Sequence, residues 1–312
     1  MTKRRARVVG DRPAAGGAAW AHDKKETDLK HIKRSQLALS NFPYTKNTLD
    51  FCLDSLERIG GPNIEFYAAY PHFYLGDATP ADIRNLARKI RAHNLHVIDF
   101  CPENCSYPVN AASSDPRVRA RSIAHYVTGI QTASELECPN CLFFPGYALM
   151  DEDPQPVWDR AVAAFRYLAE IAETYGVTLV LESAKKTSSV MGSTDLQLRF
   201  MEEVGSPNVD CMIDTTNIIG MGETLEDCYA KLGVEHVKHV HFKGAAGTPQ
   251  SFSTCPPDEG FLDLAPLVSW LDEDGYDGYF GCEVFKPYYY EPEKAMLRFK
   301  DWFDKLDPVM DY

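Results

Sequence analysis

Four side chains that could hold a metal ion occur at the same kind of position, the carboxyl end of a short apolar run. They are Glu182 in VTLVLE, Asp214 in DCMID, His241 in VKHVHFKG and Glu283 in YFGCE. Three carboxylates and one imidazole suit hard or borderline divalent ions. Such an ion polarises a substrate carbonyl, and a nearby carboxylate can then remove the adjacent proton. Because the same context repeats four times, we favour a metal site over four unrelated polar residues. Mn²⁺ is the first choice, and Mg²⁺, Co²⁺ or Zn²⁺ would also suit these ligands.

The elements that carry these residues alternate regularly between strand and helix. Strands are predicted over residues 36–40, 63–69, 96–101, 141–144, 177–182, 209–214, 237–242 and 279–284. Helices are predicted over residues 45–59, 79–93, 115–136, 156–175, 194–204, 224–232, 262–274 and 292–306. Alternation of this kind predicts a parallel sheet with crossover helices, and eight units match a single (β/α)8 TIM barrel. Functional residues of such barrels collect at the carboxyl ends of the strands, where all four candidates lie.

The first 30 residues differ from the rest of the chain. They are rich in Arg and Lys, then in Ala and Gly, and show no hydrophobic periodicity. We therefore predict that residues 1–30 are a disordered N-terminal arm, and that residues 31–312 form the (β/α)8 barrel domain.

Composition narrows the class of protein. The net charge of -13 argues against a nucleic-acid surface, which needs an excess of Lys and Arg. No apolar run approaches the length of about 18 residues that a membrane-spanning helix requires. The nine cysteines are scattered, which favours reduced thiols and a cytoplasmic location over a disulfide framework.

At LVLES, MIDTTN, HVHFKG and GYFGCEV the sequence resembles the sugar-phosphate isomerase/epimerase family, whose members are xylose-isomerase-like TIM barrels. The D-tagatose and D-psicose 3-epimerases are the best-defined members, and the resemblance extends over about residues 35–306. It implies that Glu182, Asp214, His241 and Glu283 bind one divalent metal. It also implies that Glu182 and Glu283 exchange the C3 proton of a ketose through an enediolate.

Three stretches depart from the 3-epimerase pattern. SAKKTS follows Glu182 where the pattern has a second Glu, Asp214 is followed by TTN where the pattern has TFH, and GAAG stands where the pattern has an Arg. In the 3-epimerases these positions contact the substrate. The resemblance therefore implies the metal chemistry of that family more strongly than it implies the same substrate. Candidate substrate contacts in this chain are His72, Glu103, Lys185, Asn217 and Lys243, although loop lysines are more often simply solvated.

We therefore expect a metal-dependent sugar isomerase or epimerase that removes a proton next to a carbonyl. A lyase on the same site is the alternative, either a keto-polyol dehydratase or an enzyme similar to C-glycoside deglycosidase large subunits. Aromatic residues in the predicted loops, among them Phe42, Tyr44 and Tyr107, favour this alternative. An endonuclease IV-type DNA repair enzyme is a remote third hypothesis. The partners expected are a small sugar or glycoside substrate and either further copies of the chain or a small subunit.

Overall fold

A computed structural model describes residues 29–104, 109–184 and 188–311 of the chain. Eight strands form one sheet in which every neighbouring pair is parallel. The strands are β1 (Ala38–Ser40), β2 (Asn63–Ala68), β3 (His96–Pro102), β4 (Asn140–Phe143), β5 (Thr178–Leu181), β6 (Val209–Asp214), β7 (Val237–His241) and β10 (Tyr279–Gly281). Between β7 and β10 the chain forms an antiparallel hairpin of β8 (Gly244–Thr248) and β9 (Ser251–Cys255).

The sheet curls until its first and last strands meet. A parallel bridge joins Leu37, just before β1, to Phe280 of β10. The Ser40 hydroxyl donates a 2.8 Å hydrogen bond to the carbonyl of Cys282, and the Gln36 amide donates one of 2.7 Å to the carbonyl of Gly278. These contacts close the sheet into a barrel and confirm the predicted (β/α)8 architecture.

Nine helices lie in the described part of the chain. They are α1 (Leu49–Ile59), α2 (Pro80–Ala92), α3 (Pro116–Glu135), α4 (Pro154–Tyr175), α5 (Thr194–Val204), α6 (Thr215–Gly220), α7 (Leu225–Leu232), α8 (Ala265–Glu273) and α9 (Pro292–Asp304). Several begin at a side chain that accepts a backbone N–H of the first turn, as Thr48 does for α1 and Ser193 for α5. Helix α4 ends at Gly176, whose φ of 67° is the left-handed conformation that glycine adopts without strain.

The sequence placed some boundaries wrongly and missed two features. The helix predicted from residue 45 begins at Leu49, because residues 42–44 form a 3-10 turn and Thr48 supplies the cap. Helix α8 begins at Ala265 rather than residue 262, and β10 ends at Gly281, two residues before Glu283. Neither the β8–β9 hairpin nor the short helix α6 was expected.

The two faces of the barrel strands bury different groups. Leu179 and Leu181 of β5 belong to the large core between the sheet and the helices. Val180, which points to the opposite face, belongs to a smaller apolar cluster inside the barrel. The other buried members of that cluster are Phe42, Cys101, Leu142, Phe144, Ala184 and Met212. Part of the barrel interior is therefore apolar, formed by Phe42 and by residues of β3, β4, β5 and β6 and the segments that follow them.

The start of the described chain is bound to the barrel. Leu29 is buried, and the backbone N–H groups of Lys30, His31 and Ile32 donate to the Asp272 carboxylate of α8. The rest of the predicted disordered arm lies outside the described residues. None of the helices that the structure describes combines the length and apolarity needed to span a bilayer.

Candidate active site

The four strand-end residues meet at the carboxyl end of the barrel. One ligand atom each from Glu182, Asp214, His241 and Glu283 lies within 4.8 Å of the others. Glu182, Asp214 and His241 are buried, whereas the Glu283 side chain keeps 23 % of its surface exposed. β5, β6, β7 and β10 run in parallel and in this order around the barrel, so residues at or just past their ends converge. Below, this group is called the carboxylate cluster.

Asp214 is fixed by the helix that it starts. Its Oδ1 accepts hydrogen bonds of 2.9 Å from the backbone N–H groups of Thr216 and Asn217 at the beginning of α6. The other oxygen, Oδ2, forms an ion pair with Lys243 and lies 3.3 Å from Nδ1 of His241. Burial acts to raise the pKa of Asp214, but the Lys243 and His241 charges outweigh it and hold that pKa below its usual range. Oδ1 of Asp214 thus caps helix α6, and Oδ2 faces Lys243 and His241 in the carboxylate cluster.

Glu182 is held by Asn217, whose Nδ2 donates a 2.7 Å hydrogen bond to Oε1 of the carboxylate. Asn217 was predicted to contact substrate, and the structure places it beside this candidate base. Burial raises the pKa of Glu182 well above its ordinary value, and the neighbouring Glu283 and Asp214 carboxylates raise it further. A raised pKa is the property that general acid–base catalysis by a carboxyl group requires near neutral pH.

Lys243 is not a solvated loop lysine. It is 3 % exposed, and its ammonium forms ion pairs with Asp214 and, at 2.6 Å, with Oε2 of Glu283. Burial acts to lower the pKa of Lys243, but the Asp214, Glu283 and Glu182 carboxylates reverse that effect and raise it. The cluster therefore already draws a cationic group between two of its carboxylates. Together with the oxygen-rich ligands and one imidazole, this fits a divalent ion.

A second group of polar residues lies deeper in the barrel, beneath His241. Glu65 of β2 accepts hydrogen bonds from Nε2 of His241, at 2.7 Å, and from Nε2 of His239, at 3.2 Å. All three side chains are buried to 99 % or more. His239 precedes His241 by two residues on β7, so the two side chains point to the same face of the strand. Burial acts to raise the pKa of Glu65, but the two imidazoles outweigh it and lower that pKa.

Glu65 and Asp99 are the interior acids that the sequence reasoning missed. They are paired in register on β2 and β3, and neither is exposed. Burial raises the pKa of Asp99 well above its ordinary value, and the nearby Glu65 carboxylate raises it further. Each acid stands in the middle of an apolar strand, NIEFYA or HVIDFC, and that pattern was the available signal.

Two other predicted substrate contacts, Glu103 and His72, are hydrogen-bonded to neighbouring side chains. Glu103 accepts a hydrogen bond from the Tyr67 hydroxyl, and the Tyr67 ring stacks on Phe42 with 4.9 Å between centroids. His72 contacts Asn41, whose Nδ2 donates a 2.8 Å hydrogen bond to Nδ1 of the imidazole. Lys185 lies outside the described residues, so its predicted role stays a prediction.

Only some of the predicted aromatic residues lie at the mouth. Phe42 contacts the edge of the His241 ring, at 6.1 Å between centroids, and also packs against Phe285. Tyr44, in contrast, is fully buried in the core, where its hydroxyl is hydrogen-bonded to Ser55 at 2.7 Å. Tyr107 lies outside the described residues.

The fold and the site together define a single (β/α)8 barrel with three carboxylates and an imidazole gathered at the carboxyl ends of its strands. The chain belongs to the Xylose isomerase-like TIM barrel family, whose model matches residues 53–306. This confirms the family resemblance that the strand-end motifs carried.

The relatives of this chain include sugar epimerases. The chain is 26 % identical over 248 residues to fructoselysine 3-epimerase from Shigella flexneri, which covers 78 % of this chain and 89 % of that protein. A solved structure of L-ribulose 3-epimerase superimposes with a TM-score of 0.72 at 20 % identity, covering 86 % of this chain and 93 % of its own. The structure of the IOLI protein with a bound zinc atom also gives a TM-score of 0.72, at 19 % identity, and covers 87 % of this chain and 97 % of its own.

Proposed function

We propose that this protein is a divalent-metal-dependent sugar isomerase or epimerase that moves the proton next to the carbonyl of a keto-sugar. The observation that carries the proposal is the convergence of Glu182, Asp214, His241 and Glu283 within 4.8 Å. The epimerase relatives support the substrate class, and the zinc-bound neighbour supports a metal at such a site. A divalent ion bound by these four residues would polarise the substrate carbonyl as a Lewis acid and acidify the adjacent C–H bond.

The protein's own groups would then move the proton. Glu182 is buried, with its pKa raised, and Asn217 holds one of its oxygens in place. It is therefore the first candidate to take the proton and leave an enediolate on the substrate. Glu283 would return a proton from the other side of the carbon, as the family resemblance implies. Lys243, hydrogen-bonded to Glu283, supplies a fixed positive charge beside the developing negative charge of the enediolate.

The direct test is proton exchange with solvent. The metal-loaded enzyme is incubated in D₂O with ketohexoses, L-ribulose and fructoselysine, and the products are followed by NMR. Deuterium at the carbon next to the carbonyl, with all substituents retained and an epimer or isomer formed, is the expected result. Glu182→Gln, loaded with the same metal, should show exchange and product formation slowed by about 10²- to 10⁴-fold.

The lyase alternative predicts a different result in the same experiment. Elimination from a 3-oxo-glycoside releases an aglycone, and dehydration of a keto-polyol releases water. The epimerase relatives favour return of the proton and lend no support to elimination. Release of an aglycone or water from an oxo-substrate, without exchange on any ketose, would replace the isomerase proposal with the lyase.

Three further points stay predictions. Mn²⁺ is the metal that we expect, on the ligand chemistry alone. A cytoplasmic location and assembly with further copies of the chain or a small subunit are likewise expected from the sequence only.

A further inference from the structure

The buried trio of Glu65, His239 and His241 has a geometry that bears on the metal site above it. Glu65 reaches across the barrel interior, because its strand, β2, is not a neighbour of β7, which carries both histidines. Its two oxygens are divided between the two rings, with Oε1 facing His241 and Oε2 facing His239. A carboxylate only accepts hydrogen bonds, so each imidazole must present an N–H group at Nε2.

This requirement determines which nitrogen His241 can offer to a metal. With its Nε2 proton directed at Glu65, the remaining ring nitrogen is Nδ1. That atom lies 3.3 Å from Oδ2 of Asp214 and 3.8 Å from Oε2 of Glu283. Nδ1 is therefore the nitrogen that faces the carboxylate cluster and that a metal ion there would coordinate.

Strand β10, next to β7, has a glycine at the position where a side chain would collide with Glu65 and His239. Gly281 of β10 is paired in register with His241. A Cβ atom at Gly281 would lie 2.6 Å from Nε2 of His239 and 2.8 Å from Oε2 of Glu65. Any larger residue would displace Glu65 or His239, so Gly281 is needed for the hydrogen bond between them.

A second metal ion is the competing interpretation, because these three residues also offer ligand atoms close together. Both Nε2 atoms, however, already lie within 3.2 Å of a Glu65 oxygen, and the trio is sealed from solvent. Direct hydrogen bonds use the atoms that a second ion would need.

We infer that Glu65 is a positioning residue, which, supported by His239 and Gly281, holds His241 with Nε2 protonated so that Nδ1 is presented to the metal. The inference rests on the proposed metal site but not on the identity of the substrate. Hydrogen-bond partners that orient metal-ligating histidines typically contribute 10- to 100-fold to metal affinity.

The test measures metal binding and the tautomer of His241. Titration calorimetry with Zn²⁺ or Mn²⁺ should show one ion per chain, bound about 10- to 100-fold more weakly by Glu65→Gln. The matched control is Asp99→Asn. It removes a buried carboxyl group on the strand position paired with Glu65, but it keeps the hydrogen bonds of Glu65 to His239 and His241. Its metal affinity should stay within about twofold of the wild type.

A spectroscopic measurement on the wild type covers the case in which Glu65→Gln does not fold. With ¹⁵N-labelled histidine and bound Zn²⁺, two-bond ¹H–¹⁵N spectra should show His241 protonated at Nε2. A proton at Nδ1, two ions per chain, or unchanged metal affinity in a folded Glu65→Gln variant would each overturn the inference. If the wild type binds no divalent ion, both this inference and the proposed function fail. If it binds one ion and Glu65→Gln matches it, only this inference fails.

Discussion

The ammonium group of Lys243 lies 2.6 Å from Oε2 of Glu283, inside the group of residues that would bind the metal. Lys243 also pairs with Asp214, so it neutralises part of a cluster that contains three carboxyl groups. A divalent ion would bind the same two carboxylates that this ammonium group contacts. In the metal-free protein Lys243 occupies oxygens of Asp214 and Glu283, so a metal ion that binds there would have to compete with the ammonium group.

Replacing Lys243 by Met should change metal affinity and stability in opposite directions. Without the competing ammonium, Mn²⁺ or Zn²⁺ should bind more tightly, by on the order of tenfold. The metal-free variant should lose about 3–5 kcal/mol in its free energy of unfolding, because buried carboxylates lose their cation. Calorimetric titration and urea unfolding in chelator measure the two effects.

Lys238→Met, on β7 just before the loop that carries Lys243, is the control. Lys238 is partly exposed and pairs with Asp210, away from the cluster. It should leave both quantities nearly unchanged. Weaker metal binding by Lys243→Met would instead mean that the ammonium supports the bound ion.

Metal binding should stabilise the fold, because the ion binds the folded state and not the dispersed ligands of the unfolded chain. At a free metal concentration about 100 times Kd, the gain is about 2.7 kcal/mol. A thermal shift assay with Mn²⁺, Mg²⁺, Co²⁺ and Zn²⁺ would also rank the metals. Asp214→Asn should lose most of the shift, whereas Asp210→Asn on the same strand should keep it. No shift with any divalent ion would count against the metal site.

Glu182→Gln should reduce turnover strongly while keeping the fold. The amide oxygen can still accept the hydrogen bond from Asn217, but the side chain can no longer take a proton, so kcat should fall by about 10²- to 10⁴-fold. The variant should be at least as stable as the wild type when metal-free, because it removes a carboxyl group whose ionisation is opposed by burial. Glu170→Gln, on the exposed face of α4, is the control for expression and folding. Near-normal turnover by Glu182→Gln would assign the base to another residue.

The repeated strand and helix units, and the residues at the strand ends, could be predicted from the sequence. The contacts between side chains on opposite sides of the barrel could not. Glu182, Asp214 and His241 could be placed together because parallel strands carry their carboxyl ends to one rim. Glu65 could not be joined to His241, because β2 and β7 are separated in the sheet and only barrel closure brings their side chains together. Lys243 was predicted to contact substrate, and its ion pairs were missed because its partners, Asp214 and Glu283, lie 29 and 40 residues away in the chain. Helix α6 was missed because the stretch after Asp214 is too short to show helical periodicity.

Asp99 should make the metal-free protein less stable as pH rises. Its carboxyl group is fully buried, no described side chain donates a hydrogen bond to it, and its pKa is raised well above the usual value. Between the unfolded pKa of about 3.9 and the higher folded pKa, the folded protein keeps a proton that the unfolded chain releases. The free energy of unfolding therefore falls as pH increases through that window.

Asp99→Asn removes this titration and keeps nearly the same shape. Urea unfolding in the presence of a chelator, at intervals from pH 5 to pH 8, should show a smaller loss of stability for the variant than for the wild type. The difference between the two proteins should grow with pH, while groups common to both, including Glu182, cancel. Asp210→Asn, which changes a carboxylate that is already paired with His236 and Lys238, should not reduce the loss. Parallel curves for the wild type and Asp99→Asn would mean that Asp99 titrates alike in the folded and unfolded states.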